Sequence, residues 1–193
     1  MKKLIFATHN NHKLREIQEI LSGSYQIVGL HELGFSEDIP ETADTLEGNA
    51  AIKAKYIYDK FGMDCFSDDT GLEISALQGA PGVYSARFAG ENCTFEDNMK
   101  KVLHLLQGVA NRKACFRSVI CLILNGESYF FEGRIEGEII DTQKGTDGFG
   151  YDPIFIPDGF TETFAEMPIE KKNSISHRGI ATQKLINFLH EIR

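Results

Sequence analysis

The chain has 193 residues, of which 42% are hydrophobic and 25% are charged, a composition typical of an ordinary soluble globular protein. Its net charge of −8 argues against a protein that coats nucleic acid or an anionic membrane, although a few clustered lysines can still bind a small anionic substrate. No run approaches the ~18 apolar residues of a membrane span, and the N-terminal apolar run is too short for a signal peptide, so we expect a cytoplasmic protein.

The length suffices for a hydrophobic core without disulfides, and we expect one cooperative unit, 1–193, built as one domain or as two tightly joined lobes that are not separable. The four cysteines form no Cys-x-x-Cys pair, and three of them lie in apolar runs. We therefore expect buried, reduced thiols. The four are Cys65, Cys93, Cys115 and Cys121.

The first elements predict a βαβ unit. The apolar run Leu4–Ala7 is typical of a buried strand, and a polar turn (8–11) leads into a helix that Gly23 ends. Tyr25–Leu30 predicts a second strand. This order of elements indicates an α/β fold.

A second helix is predicted after the polar loop 31–43. Asp44, with Glu47 three residues later, resembles a capping box, so we expect Asp44 to cap this helix. Lys53 lies one step from its apolar stripe, where a side chain can reach a ligand. Glu41, in the preceding loop, is a surface carboxylate when considered alone.

The segment Ser67-Asp68-Asp69-Thr70-Gly71 is the most informative stretch of the chain. The apolar run Met63–Phe66 predicts a strand that brings both aspartates to the start of a turn, and a short strand, Leu72–Ala76, is expected after it. Adjacent carboxylates repel each other, so two of them at a strand end indicate a bound cation, most commonly Mg²⁺ with a phosphorylated substrate. A surface Asp-Asp pair is the alternative interpretation.

The remaining pattern predicts two helices, a hairpin and a short strand. They are the helix Thr94–Leu106, the hairpin strands Lys113–Leu124 and Ser128–Asp141 around Asn125-Gly126, the strand Pro153–Ile156, and a last helix capped by Ser176 that buries residues as far as Ile192.

The motif Thr8-x-Asn10-x-x-Lys13 lies at a strand-to-helix junction. Free backbone N–H groups and the positive end of the helix dipole favour an anion there, and Lys13 can reach a bound phosphate. Asn10 or Asn11 can cap the helix. A helix cap followed by a solvated lysine remains the alternative, since the motif lacks the spacing of a Walker A loop.

Two further segments carry groups that suit a nucleoside. Phe149-Gly150-Tyr151-Asp152 follows a glycine-rich turn, where aromatic rings can stack on a flat base or can instead fill the core. Ser176-His177-Arg178 opens the last helix, with Lys171-Lys172 just upstream. A basic first turn is unfavourable against the helix dipole, which indicates either an acceptor-rich ligand or a solvated basic cluster.

Together these segments, from Thr8 to Arg178, closely resemble the inosine triphosphate pyrophosphatase family. Members of this family often have glycine where His12 stands. The resemblance rests on seven ordered blocks: Thr8-x-Asn10-x-x-Lys13, Glu41-Thr42, Asn49-Ala50 with Lys53, Asp68–Leu72, Gly79–Phe88, Gly148–Pro153 and Ser176–Gly179.

The resemblance implies a homodimeric, Mg²⁺-dependent enzyme that hydrolyses ITP, dITP and XTP to the monophosphate and pyrophosphate. It implies an elongated, two-lobed α/β fold, with helices flanking a long central mixed β-sheet and an active-site cleft between the lobes. A non-catalytic purine-nucleotide-binding module and a house-cleaning NTP pyrophosphatase of different base specificity are the alternatives.

The resemblance also assigns expected roles to residues. Asp69 is the expected proton acceptor with Asp68 in support, and Lys13 and Lys53 complete the catalytic set. The metal ligands are Glu41 and Asp69. The residues expected to bind the triphosphate are Thr8, His9, Asn10, Asn11, His12, Lys13 and Lys53. Those expected to bind the nucleoside are Thr70, Phe149, Gly150, Tyr151, Asp152, Lys172, His177 and Arg178.

Overall fold

The computed structural model describes residues 2–21 and 25–192, which form a mixed α/β fold. Within these residues the strands are β1 (Lys2–Phe6), β2 (Tyr25–Gly29), β3 (Cys65–Ile74), β4 (Lys113–Leu124), β5 (Glu127–Ile139) and β6 (Phe155–Pro157). The helices are α1 (Asn11–Ile20), α2 (Leu46–Phe61), α3 (Phe95–Leu105), α4 (Ile169–Ile175) and α5 (His177–Glu191). The predicted helix stop at Gly23 lies outside the described residues.

The described strands form one sheet in the order β2-β1-β3-β4-β5-β6. β1 pairs in parallel with β2 and with β3, whereas β5 and β6 are antiparallel. The predicted α/β class, the mixed sheet and the opening βαβ unit are therefore confirmed. The elongated two-lobed shape, the cleft and the single inseparable domain stay predictions.

The described chain groups into two compact units. The first unit contains the residues up to Asp69, Ser118–Gly133 and the residues from Arg178 onward. The second contains Thr70–Arg117 and Arg134–His177. Each unit has its own hydrophobic core.

The first unit buries apolar side chains on both faces of its strands. Successive side chains of a strand point to opposite faces, so alternate residues pack against different helices. One core contains residues of α1 and α5, among them Ile17 and Leu185, with Phe66 of β3. The other contains residues of α2, among them Ala54 and Ile57.

The core of the second unit contains residues of α3 and a cluster of phenylalanines. Phe116, Phe155 and Phe164 lie in mutual ring contact, with centroids between 4.7 and 5.9 Å apart. Met99 and Val102 of α3 belong to the same buried core.

β3 differs from its prediction. The expected strand, turn and second strand around the two aspartates are one continuous strand, Cys65–Ile74, and Asp68 and Asp69 lie inside it. The placement of the pair at a strand end is therefore wrong. A polar segment continues a buried strand here because each of Ser67, Asp68 and Asp69 has a partner on a neighbouring element.

The structure also corrects the predicted start of α2 and the predicted end of α5, and it contains one helix that the sequence did not indicate. Thr45, not Asp44, caps α2, because the helix begins at Leu46 and the Thr45 hydroxyl accepts from the Gly48 N–H at 3.1 Å. Ile192 is exposed rather than buried, since it follows the end of α5. The short helix α4 was not predicted.

Other local predictions are confirmed. Asn10, one of the two predicted candidates, caps α1 through its side-chain oxygen. The helix predicted from Thr94 begins one residue later, at Phe95, and Thr94 is its cap in a capping box with Asp97. Asn125 and Gly126 both have positive φ, at 52° and 85°, as the two-residue turn between β4 and β5 requires. Cysteines 65, 115 and 121 are buried and, like Cys93, are free thiols. None of the described helices is both long enough and apolar enough to cross a membrane.

Arg112 stabilises the second unit by joining the end of α3 to β5. Its guanidinium donates to the carbonyls of Leu106, Ile139 and Ile140 at 3.0, 2.5 and 3.1 Å. We expect Arg112→Ala to lower the free energy of unfolding by about 2–4 kcal/mol, since these half-buried carbonyls lose a charged donor. Urea unfolding measures this change.

Arg134→Ala is the matched control for Arg112→Ala. Arg134 is exposed, and its guanidinium pairs with Glu136 at 2.8 Å, a surface ion pair that contributes about 1 kcal/mol or less. Equal destabilisation by the two substitutions would contradict the structural role of Arg112.

Candidate active site

The two adjacent aspartates point to opposite faces of β3. Cys65 and Ser67, which share a face with Asp69, donate to the α2 carbonyls of Ala54 and Ala50 at 3.2 and 2.5 Å. On the other face lies Asp68. Because side chains alternate along a strand, the pair belongs to two separate polar groups.

The first group surrounds Asp69 and lies against α2. Lys53 donates to Asp69 Oδ1 at 3.1 Å and to Glu41 Oε1 at 2.6 Å, so one ammonium group joins the two predicted metal ligands. Asn49 donates to Asp69 Oδ2 at 3.3 Å. Asp69, Lys53 and Asn49 are all buried, whereas Glu41 is half-buried.

Burial and charge have opposite effects on Asp69. Burial, with the nearby charge of Glu41, raises the pKa of Asp69 above its ordinary value despite the opposing charges of Lys53 and Lys13. Burial acts against the charge of Lys53 as well, but Asp69 and Glu41 together raise the pKa of Lys53. Asp69 and Glu41 thus share the Lys53 ammonium, and Asp69 remains able to accept a proton.

The second group surrounds Asp68. Lys13 donates to Asp68 Oδ1 at 2.9 Å, and the Nε atom of Arg178 donates to Oδ2 at 3.1 Å. The Nη1 atom of Arg178 donates to Glu16 at 2.5 Å. Asp68 and Arg178 are almost fully buried, with 1% of each residue exposed.

Two cations hold Asp68 in its ionised form. Burial alone would raise the pKa of Asp68, but the charges of Lys13 and Arg178 hold this pKa well below its ordinary value. Burial lowers the pKa of Lys13 despite the nearby Asp68 charge. An aspartate held in this way is a poor proton acceptor.

The predicted phosphate turn is closed by Thr8 and Asn10. Thr8 Oγ1 accepts from the Asn10 N–H at 3.1 Å, and Asn10 Oδ1 accepts from the N–H groups of His12 and Lys13 at 2.9 and 3.2 Å. Asn11 is the first residue of α1, and no acidic residue lies in the first turn of this helix. His9 contacts the Glu37 carbonyl at 2.9 Å.

In the second unit, Asp152 organises the predicted base-binding turn. Its Oδ2 accepts from the Phe149 N–H at 2.8 Å and from Lys172 Nζ at 2.7 Å. The Lys172 Nζ lies 5.1 Å from the centre of the Phe149 ring. At Gly148, where φ is +74°, any Cβ would collide with the Asp152 carboxylate, so the turn requires glycine there.

The remaining predicted nucleoside ligands lie in the glycine-rich turn, in β3 and at the start of α5. Tyr151 donates its hydroxyl to the Ser85 carbonyl at 2.8 Å, and burial raises its pKa. The His177 ring stacks on Phe116 at 4.7 Å. Gly150 has a φ of +64°, and Thr70 is half-buried within β3.

The solvated basic cluster considered for the last helix is wrong. Lys172, His177 and Arg178 are each at most 3% exposed, and α4 with α5 carries them into the protein. Lys171 is more exposed and pairs with Glu162.

The acidic residues fit a magnesium ion with few protein ligands. Among residues 2–21 and 25–192 there is no group of three or more His, Cys, Asp or Glu side chains that could hold a metal. Mg²⁺ usually takes one or two carboxylates and completes its shell with water and phosphate oxygens. Glu41 and Asp69, which both contact Lys53, supply this number of carboxylates.

The structure brings six of the predicted site residues of the first unit into two sets of ion pairs. Lys53 joins Glu41 to Asp69, and Asp68 joins Lys13 to Arg178. Their roles in catalysis stay predictions. Arg178, expected at the base, has carboxylates as the contacts of Nε and Nη1, and its contact with a base also stays a prediction.

Sequence analysis assigned no role to three residues of these groups. Asn49 and Glu16 contact Asp69 and Arg178, and Ser85 accepts the hydroxyl of Tyr151 on its carbonyl. Helical spacing could have indicated the first two, because Asn49 precedes Lys53 by four residues and Glu16 follows Lys13 by three. No comparable local signal points to Ser85.

The sequence profile of the Ham1 family matches residues 4–188. The chain belongs to the Ham1 family. It is 57% identical over 190 residues to a Porphyromonas gingivalis protein named dITP/XTP pyrophosphatase, covering 98% of each chain. It is 55% identical to a protein of the same name from Flavobacterium johnsoniae, covering 97% of each chain. The resemblance found in the sequence is confirmed.

Solved structures of Ham1 proteins share the fold. The Staphylococcus aureus Ham1 protein superposes with a TM-score of 0.90 at 38% identity, covering 100% of each chain. A HAM1 protein from Coxiella burnetii gives a TM-score of 0.90 at 39% identity, covering 99% of this chain and 100% of that protein.

Proposed function

We propose that this chain hydrolyses ITP, dITP and XTP, nucleoside triphosphates of deaminated purines, to the monophosphate and pyrophosphate. The observation that carries the proposal is the group formed by Asp69, Lys53 and Glu41, in a chain 57% identical to a dITP/XTP pyrophosphatase. Such a reaction removes deaminated purines from the nucleotide pool.

Asp69 is the proton acceptor of this reaction. Water attacks the α-phosphorus, the bond to the bridging oxygen breaks, and pyrophosphate departs with the electron pair while Asp69 takes the proton. The raised pKa of Asp69, caused mainly by burial, suits a residue that must bind a proton. Asp68 is unsuited to this role because Lys13 and Arg178 hold its charge.

Glu41 and Asp69 would hold Mg²⁺, the cofactor that this reaction class uses. When bound, Mg²⁺ neutralises charge on the phosphate oxygens and on the departing pyrophosphate. Lys53, which contacts both carboxylates, contributes a second positive charge next to them.

The triphosphate is bound at the turn from Thr8 to Lys13. This turn lies at the N-terminus of α1, where the helix dipole and the absence of acidic residues in the first turn favour an anion. Lys13 supplies a cation from the same turn.

The base is recognised by the group of Phe149, Asp152 and Lys172. The Phe149 ring offers a face for stacking, and the Lys172 ammonium supplies a donor beside it. Hypoxanthine and xanthine carry an acceptor oxygen at C6, where adenine carries a donor amine. A buried donor at that position therefore disfavours adenine, and such mismatches discriminate strongly.

A nucleotide panel with separate pyrophosphate and orthophosphate assays tests the proposal. We expect pyrophosphate from ITP, dITP and XTP, loss of turnover when EDTA removes Mg²⁺, and much slower turnover of ATP. Release of orthophosphate or equal turnover of ATP would contradict it. Binding without turnover would favour the non-catalytic module, and preference for another base would favour a different house-cleaning enzyme.

The homodimer and the cytoplasmic location belong to the same proposal. Their support is the family membership, which makes a shared assembly and compartment the natural expectation.

A further inference from the structure

Asn49 is buried in contact with Asp69, one of the two predicted metal ligands, and with the loop that carries the other, Glu41. It is the fourth residue of α2 and is 0% exposed. Its side-chain nitrogen donates to Asp69 Oδ2 at 3.3 Å, and its side-chain oxygen accepts from the Ala43 N–H at 2.9 Å. Ala43 lies two residues after Glu41 in the chain.

The two contacts of Asn49 require a side chain that can both accept and donate, as an amide does. A backbone N–H can only donate and an ionised carboxylate can only accept, so the residue between them must accept on one side and donate on the other. Aspartate would lack the donor, and an aliphatic residue would leave both buried groups without a partner. The same argument places the side-chain oxygen of Asn49 toward the Ala43 N–H and its nitrogen toward Asp69.

Asn49 acts together with Lys53 on one face of α2. Residues four apart lie on the same side of a helix, and here Lys53 contacts Asp69 Oδ1 while Asn49 contacts Oδ2. Both oxygens of Asp69 are therefore held by one turn of helix. That turn also holds the loop of Glu41, through Lys53 at Glu41 itself and through Asn49 at Ala43.

We propose that Asn49 is a positioning residue that fixes the Asp69 carboxylate and the Glu41 loop in register for metal binding and proton transfer. The proposal rests on the proposed function. It assigns Asn49 no contact with substrate, so its loss should reduce kcat more than it raises KM. Loss of partners that orient metal ligands typically costs 10–100-fold in metal affinity or activity.

The chain contains a matched control in Asn98. Asn98 is also the fourth residue of its helix, α3, and is also buried. Its side chain accepts from the Ala89 N–H at 2.7 Å and donates to the Ala86 carbonyl at 3.2 Å. Like Asn49, it joins a helix turn to a neighbouring loop, but it has no contact with Asp69; its side-chain oxygen also accepts from the Cys93 thiol at 3.2 Å.

The test compares Asn49→Ala and Asn98→Ala in the full chain. Thermal unfolding gives the stability, calorimetric titration of Mg²⁺ into nucleotide-free protein gives the metal affinity, and dITP turnover gives kcat and KM. We expect similar losses of stability. Only Asn49→Ala should lower kcat by about 10–100-fold and weaken Mg²⁺ binding by about tenfold. Equal kcat and equal Mg²⁺ affinity in the two variants would overturn the proposal.

Asn49→Asp separates positioning from folding if Asn49→Ala fails to fold. It keeps the acceptor for the Ala43 N–H but replaces the donor to Asp69 with a carboxylate, which also adds a negative charge beside Asp69. We expect at least the loss of kcat predicted for Asn49→Ala; wild-type kcat would overturn the proposal. Failure of the proposed function would show differently, as absence of pyrophosphate release by the wild-type chain, and the Mg²⁺ titration would then decide the role of Asn49.

Discussion

Asp69→Asn is expected to lower kcat by about 10²–10⁴-fold, the contribution of a positioned general base. Asparagine has nearly the same shape, and its side-chain oxygen can still accept from Lys53, but it cannot take a proton from water. KM should change much less, because the phosphate turn and the base-binding group are untouched. Stopped assays of pyrophosphate release across a range of dITP concentrations measure both constants.

The stability of Asp69→Asn provides the control for this interpretation. Burial raises the pKa of Asp69, so its ionised form opposes folding at neutral pH, and removing the charge relieves that cost. The new amide also faces the Asn49 donor, which offsets part of the gain. The net change should stay within about 2 kcal/mol. A kcat near that of the wild type would remove Asp69 as the proton acceptor.

Strand β3 shows what local sequence could not reveal. The apolar run before Ser67 predicted a strand correctly, but the polar residues after it indicated a turn. In the structure their partners come from positions far away in the chain, since Ala50, Lys53 and Arg178 lie 17, 16 and 110 residues from their bonding partners. Composition alone cannot indicate that a polar segment is buried when its compensating groups are so distant.

The grouping of the site residues was more predictable than their pairing. Family motifs led to Lys13, Lys53 and Asp69 together, and the structure places all three in the first unit. The motifs did not indicate that Lys13 and Lys53 serve different aspartates. That division depends on the alternation of β3, which a turn at Asp68 would have abolished.

Helix α4 was not predicted for a similar reason. Ile169–Ile175 is short, begins after Pro168 without a side-chain cap, and has no apolar stripe of the length that predicts a helix. Its Lys172 was expected as a donor to the base, whereas burial beside Asp152 could be known only from the fold.

Asp68→Asn is expected to destabilise the protein by about 3–5 kcal/mol, the cost of breaking a buried ion pair by removing one partner. Asp68 and Glu16 balance the charges of Lys13 and Arg178, so the substitution leaves one buried positive charge in excess. Asp68→Asn should therefore lower the free energy of unfolding more than Asp69→Asn does, although the two substitutions are adjacent and chemically identical. Urea unfolding of the two variants makes the comparison directly.

The difference in unfolding free energy between the wild type and Asp68→Asn depends on pH because it arises from the charge of Asp68. Its pKa is lower in the folded protein than in the unfolded chain, so its stabilisation is complete above the ordinary aspartate pKa of about 3.9 and is lost as the pH falls below that value. Wild type and Asp68→Asn should therefore differ by a constant amount between about pH 5 and 7 and converge in acid. If Asp68→Asn is as stable as wild type but catalytically dead, the roles assigned to the two aspartates are reversed. In the proposed assignment Asp68 contributes mainly to stability and Asp69 to catalysis. Adjacent residues can differ in this way because their side chains point to opposite faces of the strand, toward different helices.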